Sequence, residues 1–269
     1  MLCAQSRYLL RLQHWTMALS TMRQLEKFLK LFIPPIISSP IRNRRKRREE
    51  KRYDKIPDRR FYDGVFSPWL GYGEFGSLFD AIRKFTLVSP ARAWMLYSLA
   101  SQSLSISGSF YEAGVFRGGT ALLLRKILET NSTGKQLRLF DTFGGMPKTN
   151  AEKDIHQAGD FSDTSLKGVQ TLVGTPAFVT YHPGIIPASF VGLESDVIAF
   201  AHIDLDIYQG ILDSCRFIYP RLSAGGIIVF DDYGFMSCPG AREAVDQFFA
   251  DKPEVPLVLP TGQAIVFKL

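Results

Sequence analysis

The sequence predicts an α/β fold built on a mostly parallel seven-stranded sheet, with helices on both faces and an antiparallel hairpin at its C-terminal end. Short, continuously apolar runs alternate with amphipathic helical runs from about residue 106 onward. Strands that are apolar throughout are covered on both sides, which is typical of parallel sheets joined by helical crossovers. Only Pro260-Thr261-Gly262 separates the last two apolar runs, which is too short for a helix and indicates an antiparallel pair.

Each strand is predicted from a short apolar run, and each helix from an amphipathic run. The strands are predicted at Phe110–Val115, Leu137–Phe140, Phe178–Tyr181, Val197–Ile203, Gly226–Phe230, Pro256–Leu259 and Ala264–Phe267. Helices are predicted near 119–130, 164–173, 209–221 and 239–251, after two earlier helices near 79–86 and 90–103. This order amounts to five βα units followed by the hairpin.

The charge of the chain is unevenly distributed. Residues 1–60 hold 16 Lys and Arg against 5 Asp and Glu, a charge of +11, whereas the other 209 residues carry −5. The net charge of +6 therefore does not indicate a polyanionic substrate for the folded body. We divide the chain into a basic extension that is partly helical or flexible (1–60), a helical N-terminal cap (61–105) and the main α/β domain (106–269).

The basic extension has several interpretations. Apolar residues at helical spacing lie between Arg and Lys before Pro34-Pro35, and the run RNRRKRREEKR follows at 42–52. A basic amphipathic helix could contact an anionic membrane surface. A helix packed on the domain or on a partner, and a poorly structured leader, are the alternatives. The run holds no aromatic residue for base stacking, which argues against nucleic acid as a partner.

Several bulk features favour a cytoplasmic location. Arg7, Arg11 and His14 interrupt each N-terminal apolar run well short of the roughly 18 residues of a membrane span. The three cysteines are too few and too scattered for a disulfide framework or a zinc cluster, and they fit a reducing compartment. The sequence is compatible with a homo-oligomer.

Two predicted strand ends carry features of a nucleoside site. The turn after the first strand has the spacing G-x-x-x-G-G at 114–119, not the G-x-G-x-x-G that seats a pyrophosphate. An ordinary tight turn is the alternative. Asp141 follows the second strand, where an acid can accept hydrogen bonds from both ribose hydroxyls. A loop-capping Asp is the alternative there.

Acidic residues follow the fourth and fifth strands. Asp204 and Asp206 come after one strand, and Asp231 and Asp232 after its predicted neighbour. Unpaired carboxylates brought together would raise one another's pKa, and a hard divalent cation with oxygen ligands removes that conflict. We therefore predict that Asp204, Asp231 and Asp232 bind Mg²⁺. A salt-bridge network, or helix capping by Asp206 and Asp232, is the rival explanation.

The histidines are less informative. His202 lies within an apolar strand and is predicted to be buried and hydrogen-bonded, although a base is the alternative. His182 ends the third strand, where an adenine or methionine contact and a loop position without a role are equally compatible. His14 and His156 have no supporting constellation in the sequence.

The combined motifs resemble the macrocin O-methyltransferase family, over roughly residues 70–269. The motifs are E-x-G-x-x-x-G-G-T (112–120), D-T-F-G-G-M-P (141–147), H-I-D-L-D-I-Y (202–208), F-D-D-Y-G (230–234) and C-P-G-A-R-E-A-V (238–245). The resemblance implies a class I methyltransferase, Rossmann-like fold. It also implies a Mg²⁺-dependent transfer of the methyl group of S-adenosylmethionine to a hydroxyl of a small molecule, a sugar or a glycosylated natural product.

The resemblance also implies roles for single residues. Asp206 is the candidate general base, with Asp204 as the second candidate. The residues expected to bind S-adenosylmethionine are Thr86, Glu112, Gly114, Gly118, Thr120, Asp141, Phe161 and Ile185. The segment between Pro147 and Phe161 carries no family signature and is expected to shape the acceptor site.

Two other functions are compatible with parts of the sequence. A catechol- or caffeoyl-type O-methyltransferase also uses a metal and adjacent hydroxyls, and only the acceptor distinguishes it. A membrane- or RNA-associated binding module would act through the basic extension, so removing residues 1–55 would abolish its function while methyl transfer would survive.

Overall fold

A computed structural model describes residues 55–269. The chain divides into two units, Met1–Tyr62 and Asp63–Leu269. Of the first unit only residues 55–62 are described, and they include the 3₁₀ turn Arg59–Phe61. The predictions for the amphipathic and basic runs of the extension lie outside the described residues. Among residues 55–269, no helix is both long and apolar enough to cross a membrane.

The second unit contains a seven-stranded sheet. Its strands are β1 Ser109–Ala113, β2 Leu137–Asp141, β3 Val179–Pro183, β4 Ile198–Ile203, β5 Leu222–Phe230, β6 Leu257–Val258 and β7 Ala264–Phe267. They lie in the order β3-β2-β1-β4-β5-β7-β6. The first five are parallel, and β7 is antiparallel to both β5 and β6. The predicted mixed sheet with its C-terminal hairpin is confirmed.

Within residues 55–269, six α-helices accompany this sheet. They are α1 Phe75–Ile82, α2 Pro90–Gln102, α3 Gly119–Thr130, α4 Leu166–Val173, α5 Tyr208–Ile218 and α6 Pro239–Phe249. The short elements besides them are the strands Tyr62–Asp63 and Val65–Phe66 and the 3₁₀ turns Pro68–Leu70, Ser103–Ser105, Ala188–Phe190 and Tyr219–Arg221. Serine residues cap the N-termini of two helices. The Ser89 side chain accepts a hydrogen bond from the Arg92 N–H, and the Ser165 side chain accepts one from the Gly168 N–H.

The expectation of five βα units is wrong for the third unit. The connection from β3 to β4 contains only the 3₁₀ turn Ala188–Phe190. Gly184 and Gly192 both have a positive φ, and Pro187 lies between them, so the segment cannot continue as an α-helix. The crossover is therefore a short loop.

Apolar side chains cover both faces of the sheet. Phe110 of β1 and Phe200 of β4 belong to one buried cluster together with residues of α2 and α3. Tyr111 and Ala201, the next residues along the same strands, belong to the opposite cluster with residues of α5 and α6. This alternation places successive residues of a strand on opposite faces, so helices cover the sheet on both sides.

Candidate active site

A cavity of about 440 Å³ lies at the carboxyl ends of the parallel strands. Nine of the residues predicted to bind the cofactor or metal, or to act as base, line it: Thr86, Gly114, Thr120, Asp141, Phe161, Ile185, Asp204, Asp206 and Asp232. The other three, Glu112, Gly118 and Asp231, are not among its lining residues. Open α/β sheets bind ligands at this edge, so the cavity has the position of an active site.

Strand register explains why residues distant in the sequence meet there. Ala113 pairs with Ile203, and Ile203 pairs with Phe230. The residues that follow these three are Gly114, Asp204 and Asp231. Hydrogen bonds continue past the strand ends, from the Asp204 N–H to Ala113 O at 2.8 Å and from the Asp231 N–H to Ile203 O at 3.0 Å. The glycine turn and the acidic residues are therefore side by side.

On one side of the cavity, the Asp141 carboxylate organises two turns. Its Oδ2 accepts hydrogen bonds from the N–H groups of Val115 and Phe116 at 2.7 and 2.9 Å, and its Oδ1 accepts one from Phe143 at 2.7 Å. The side chain is partly exposed in the cavity. Oδ1 also accepts a long hydrogen bond from the Thr142 hydroxyl at 3.4 Å, which is the weakest of the four and the one that a ligand hydroxyl would replace.

The glycine turn is held tightly against its neighbours. A Cβ on Gly114 would lie 1.7 Å from the backbone oxygen of Asp204. Gly118 precedes α3 with a φ of 88°, and a Cβ there would press on the side chains of Val169 and Val173. Gly118 therefore shapes the packing beneath the turn, and Gly114 lines the cavity itself.

Glu112 is fully buried and contacts a histidine. His202 Nδ1 lies 3.0 Å from Glu112 Oε1, and both side chains have no exposed surface. His202 Nε2 lies 3.7 Å from Asp231 Oδ1. The prediction that His202 is a buried, hydrogen-bonded residue is confirmed. Glu112 Oε2 and His202 Nε2 have no hydrogen-bond partner within the described residues.

Asp204, Asp231 and Asp232 form a compact carboxylate cluster. One carboxylate oxygen from each lies within 4.8 Å of the other two. Asp231 is held by an ion pair with Arg92 and by a hydrogen bond from Gln263 Nε2 at 2.8 Å. Sequence reasoning missed both partners, because Arg92 comes from α2 and Gln263 from the hairpin turn, far from the acidic motifs.

Helix capping does not explain the acidic residues, and a salt bridge explains only one of them. Asp206 does not cap α5, because the Tyr208 N–H donates to Asp154 Oδ1 instead, and Asp232 does not cap α6. A salt bridge does exist, but Arg92 neutralises only one of the three clustered carboxylates. Within residues 55–269, Asp204 and Asp232 have no ion-pair partner, so a cation would stabilise their ionised forms.

The cluster is electrostatically unfavourable without a cation. Burial raises the pKa of Asp204 from 3.8 to about 6, with Asp206 contributing in the same direction and His202 opposing it. Burial and the charges of Asp204 and Asp206 raise the pKa of Asp232 well above its ordinary value. Burial also raises the pKa of Asp206.

A second group of polar side chains, unrecognised in the sequence, lies beside this cluster. His156 Nδ1 is 3.0 Å from Asp160 Oδ2, and its Nε2 is 3.8 Å from Asp206 Oδ1. The Cys238 thiol lies 3.3 Å from the same Asp206 oxygen. The expectation that His156 has no supporting constellation is wrong. The spacing of His156 and Asp160 by four residues was the available signal. His14 lies outside the described residues.

His182, the penultimate residue of β3, is not among the residues that line the cavity. Its ring stacks on Phe140 with a centroid distance of 4.7 Å, and its Nε2 lies 3.1 Å from Thr180 Oγ1. Burial lowers the pKa of His182, with Arg138 contributing in the same direction. These contacts give it a packing role in the sheet.

Comparison with known proteins identifies relatives of one kind. The family profile described as Macrocin-O-methyltransferase (TylF) matches residues 95–257. The mycinamicin III 3''-O-methyltransferase of Micromonospora griseorubida is 31% identical over 157 residues, which are 53% of this chain and 61% of that protein. The demethyldecarbamoylnovobiocin O-methyltransferase of Streptomyces niveus is 27% identical over 158 residues, or 54% and 60% of the two chains. The chain thus spans about three fifths of the length of these relatives.

Solved structures share the fold. The O-methyltransferase NovP superposes with a TM-score of 0.63 at 22% identity, over 68% of this chain and 82% of that one. The calicheamicin methyltransferase CalS11 superposes with a TM-score of 0.60 at 17% identity, over 85% and 93%. Both are O-methyltransferases of the class I fold, which confirms the predicted fold class.

Proposed function

The chain belongs to the macrocin O-methyltransferase family, and on that premise we propose that it transfers the methyl group of S-adenosylmethionine to a hydroxyl of a sugar or glycosylated natural product, with Mg²⁺ as its metal. The observation that carries the proposal is one cavity that holds two groups of residues. On one side are Asp141 and the turns after β1 and β2 that it holds, and on the other is the carboxylate cluster. A nucleoside-bearing donor and a metal-assisted acceptor could meet in this cavity.

The residues of the Asp141 side fit S-adenosylmethionine. Asp141 would accept hydrogen bonds from the ribose, and Gly114 lets the chain approach the cofactor without a Cβ. Around them, Thr86, Thr120, Phe161 and Ile185 line the same cavity. Glu112 and Gly118 do not line the cavity, so Gly118 would act on the cofactor through the packing of the turn, and Glu112 through its place two residues before Gly114.

The carboxylate cluster fits Mg²⁺. Asp204, Asp231 and Asp232 offer only hard oxygen ligands, and only Asp231 has an ion-pair partner among the described residues; Mg²⁺ prefers such ligands. When bound, S-adenosylmethionine would supply an electrophilic methyl group, and Mg²⁺ would supply positive charge that lowers the pKa of an acceptor hydroxyl.

The protein's own contribution is positioning and proton removal. Asp206 lines the cavity, and burial raises its pKa, which makes it a better proton acceptor than an exposed Asp. It would accept the hydroxyl proton while the hydroxyl oxygen bonds to the methyl carbon and the carbon–sulfur bond breaks. Asp204 is the second candidate for this role. The reaction depends mainly on alignment, because the sulfonium is already a good leaving group.

The acceptor class is proposed from the relatives. The names of the curated relatives describe O-methyltransferases of a rhamnosylated tetracenomycin, a novobiocin precursor and mycinamicin III. The segment between Pro147 and Phe161, which the family motifs do not cover, brings His156 to the cavity. Residues of this segment would help to select the acceptor.

The test is a methyl-transfer screen with and without Mg²⁺. Purified full-length protein is incubated with labelled S-adenosylmethionine and a panel of deoxysugar-bearing natural products, glycans and catechols. We expect transfer to a sugar hydroxyl, loss of transfer in excess EDTA and recovery on adding Mg²⁺. Asp232→Asn should lower the rate at least tenfold, whereas Asp80→Asn, an exposed acid of α1, should not change it. Full activity in EDTA would refute the metal role, and transfer only to catechols would refute the acceptor class.

A further inference from the structure

Three potential metal ligands of different chemistry meet at the cavity, apart from the carboxylate cluster. They are His156, Asp206 and Cys238, and one ligand atom from each lies within 4.8 Å of the other two. All three residues line the cavity. None of them belongs to the set proposed to bind Mg²⁺.

The spacing of these atoms matches a tetrahedral zinc site. Zn²⁺ binds His nitrogen at about 2.0 Å, carboxylate oxygen at about 2.1 Å and Cys sulfur at about 2.3 Å, which places tetrahedral ligand atoms roughly 3.4–3.6 Å apart. Asp206 Oδ1 lies 3.8 Å from His156 Nε2 and 3.3 Å from Cys238 Sγ. The ligand atoms of His156 and Cys238 lie within 4.8 Å of each other, and the side chains would adjust to bring them to the ideal separation when the ion binds.

The histidine is already oriented as a metal ligand. Metal-binding histidines commonly donate their second N–H to a carboxylate, which fixes the tautomer and the ring orientation. His156 Nδ1 lies 3.0 Å from Asp160 Oδ2, and the same oxygen accepts a hydrogen bond from the Gln157 N–H at 3.0 Å. With Nδ1–H donated to Asp160, the lone pair of Nε2 is directed toward Asp206.

We propose that His156, Asp206 and Cys238 form a zinc site beside the Mg²⁺ cluster. A thiolate and an imidazole favour Zn²⁺ over Mg²⁺, whereas the three carboxylates have the opposite preference. Cys238 binds as the thiolate, its proton is released to solvent, and a water molecule of the cavity completes the tetrahedron.

Zinc binding has a consequence for activity. It engages the Asp206 carboxylate, so that Asp206 no longer accepts a proton, and methyl transfer is inhibited. This consequence alone rests on the proposed function. Zinc binding itself is measured without any methyl acceptor, so failure of the site and failure of the proposed activity are distinguishable.

The experiment uses the full-length protein with Cys3→Ser, which removes the thiol of the N-terminal unit, in saturating Mg²⁺. Zn²⁺ affinity is measured by competition with a chromogenic chelator, and Co²⁺ is used as a spectroscopic substitute. We expect one equivalent of Zn²⁺ to bind without releasing Mg²⁺, and the Co²⁺ form to show a thiolate charge-transfer band. Cys238→Ser should abolish the band and weaken Zn²⁺ binding at least tenfold.

A second variant and a matched control keep the test decisive. Asp160→Asn changes a side chain that is 43% exposed, and it should weaken Zn²⁺ binding by about 10–100-fold through the orientation of His156. Cys215→Ser, on the buried face of α5, should leave the band and the affinity unchanged. An unchanged Zn²⁺ affinity in both Cys238→Ser and Asp160→Asn, or release of one Mg²⁺ for each Zn²⁺ bound, would overturn the proposal.

Discussion

Asp232 lies between the two groups of ligands at the cavity. Its side chain is almost fully buried, and its Oδ2 accepts a hydrogen bond from the Asp206 N–H at 2.9 Å. Burial and the neighbouring charges of Asp204 and Asp206 raise its pKa well above the ordinary value. Without a cation, keeping such a group ionised at neutral pH costs folding free energy, because the unfolded chain hydrates it.

Asp232→Asn should therefore stabilise the metal-free protein while removing its response to Mg²⁺. The amide oxygen still accepts the Asp206 N–H, but one buried charge is gone. In EDTA at pH 8 we expect a free energy of unfolding about 1 kcal/mol above that of the unsubstituted chain. Chemical denaturation with and without Mg²⁺ measures both effects. A lower stability in EDTA would show that the carboxylate is already balanced within the protein.

At the scale of elements, the junction of β1 and α3 depends on close backbone contact with the end of β4. Gly114 has a φ of 90°, and its Cα faces the Asp204 carbonyl so closely that a Cβ would lie 1.7 Å from that oxygen. The Asp204 N–H also donates to Ala113 O. A side chain at residue 114 would therefore force apart the two strand ends that hold the cofactor and the metal.

Gly114→Ala should destabilise the protein by more than about 2 kcal/mol and abolish binding of S-adenosylhomocysteine in calorimetry. The matched control is Gly192→Ala, at a φ of 88° with nothing within 4 Å of the new Cβ. It should show only the backbone cost, of order 1 kcal/mol, with unchanged ligand affinity. Equal losses in the two variants would mean that the contact with Asp204 has no special importance.

The boundaries of the elements show what local sequence determines. The prediction for β7 matches the strand Ala264–Phe267, and that for α3 matches Gly119–Thr130, because a glycine in the preceding turn marks the start of each. Strand β5 begins at Leu222, four residues before the prediction, because Leu222 pairs with Ile198 despite the glycines between. Pairing across the sheet is a tertiary effect that a local pattern does not contain.

The same distinction applies to the candidate site. Asp141, Asp204 and Asp232 could be predicted because they follow adjacent parallel strands, and topology alone brings such ends together. Arg92 and His156 could not, because they reach the site from a helix of the cap and from the loop after β2. Their positions depend on packing that no motif spacing encodes.

For the whole molecule, the carboxyls of Asp204 and Glu254 change the stability of the fold in opposite directions as the pH changes. Burial raises the pKa of Asp204 from 3.8 to about 6. Burial would also raise the pKa of Glu254, but hydrogen bonds from Tyr219 and the Leu269 N–H, together with Lys268, lower it from 4.5 to about 2. Glu254 stabilises the fold above its ordinary pKa, and this contribution is lost as the pH falls toward 2.

Asp204 has the reverse effect, which leads to a prediction for the metal-free protein. A carboxyl whose pKa is raised by folding stabilises the native state most when protonated, so stability is lost as the pH rises from about 4 through 6. In EDTA we expect a higher melting temperature at pH 5 than at pH 8. Mg²⁺ should reduce this difference, because ligand binding stabilises the native state mainly at pH 8, where the carboxylates are ionised.

Two variants assign that profile to its source. Asp204→Asn should reduce the loss of stability between pH 5 and pH 8 in EDTA, because it removes the group that titrates there. Glu254→Gln should leave that difference unchanged and lower the melting temperature at both pH values, because Glu254 is ionised in the native state across this range. If Asp204→Asn kept the full pH dependence, the acidic cluster would not be the source of the effect. The cavity would then bind Mg²⁺ without relieving any cost in the fold.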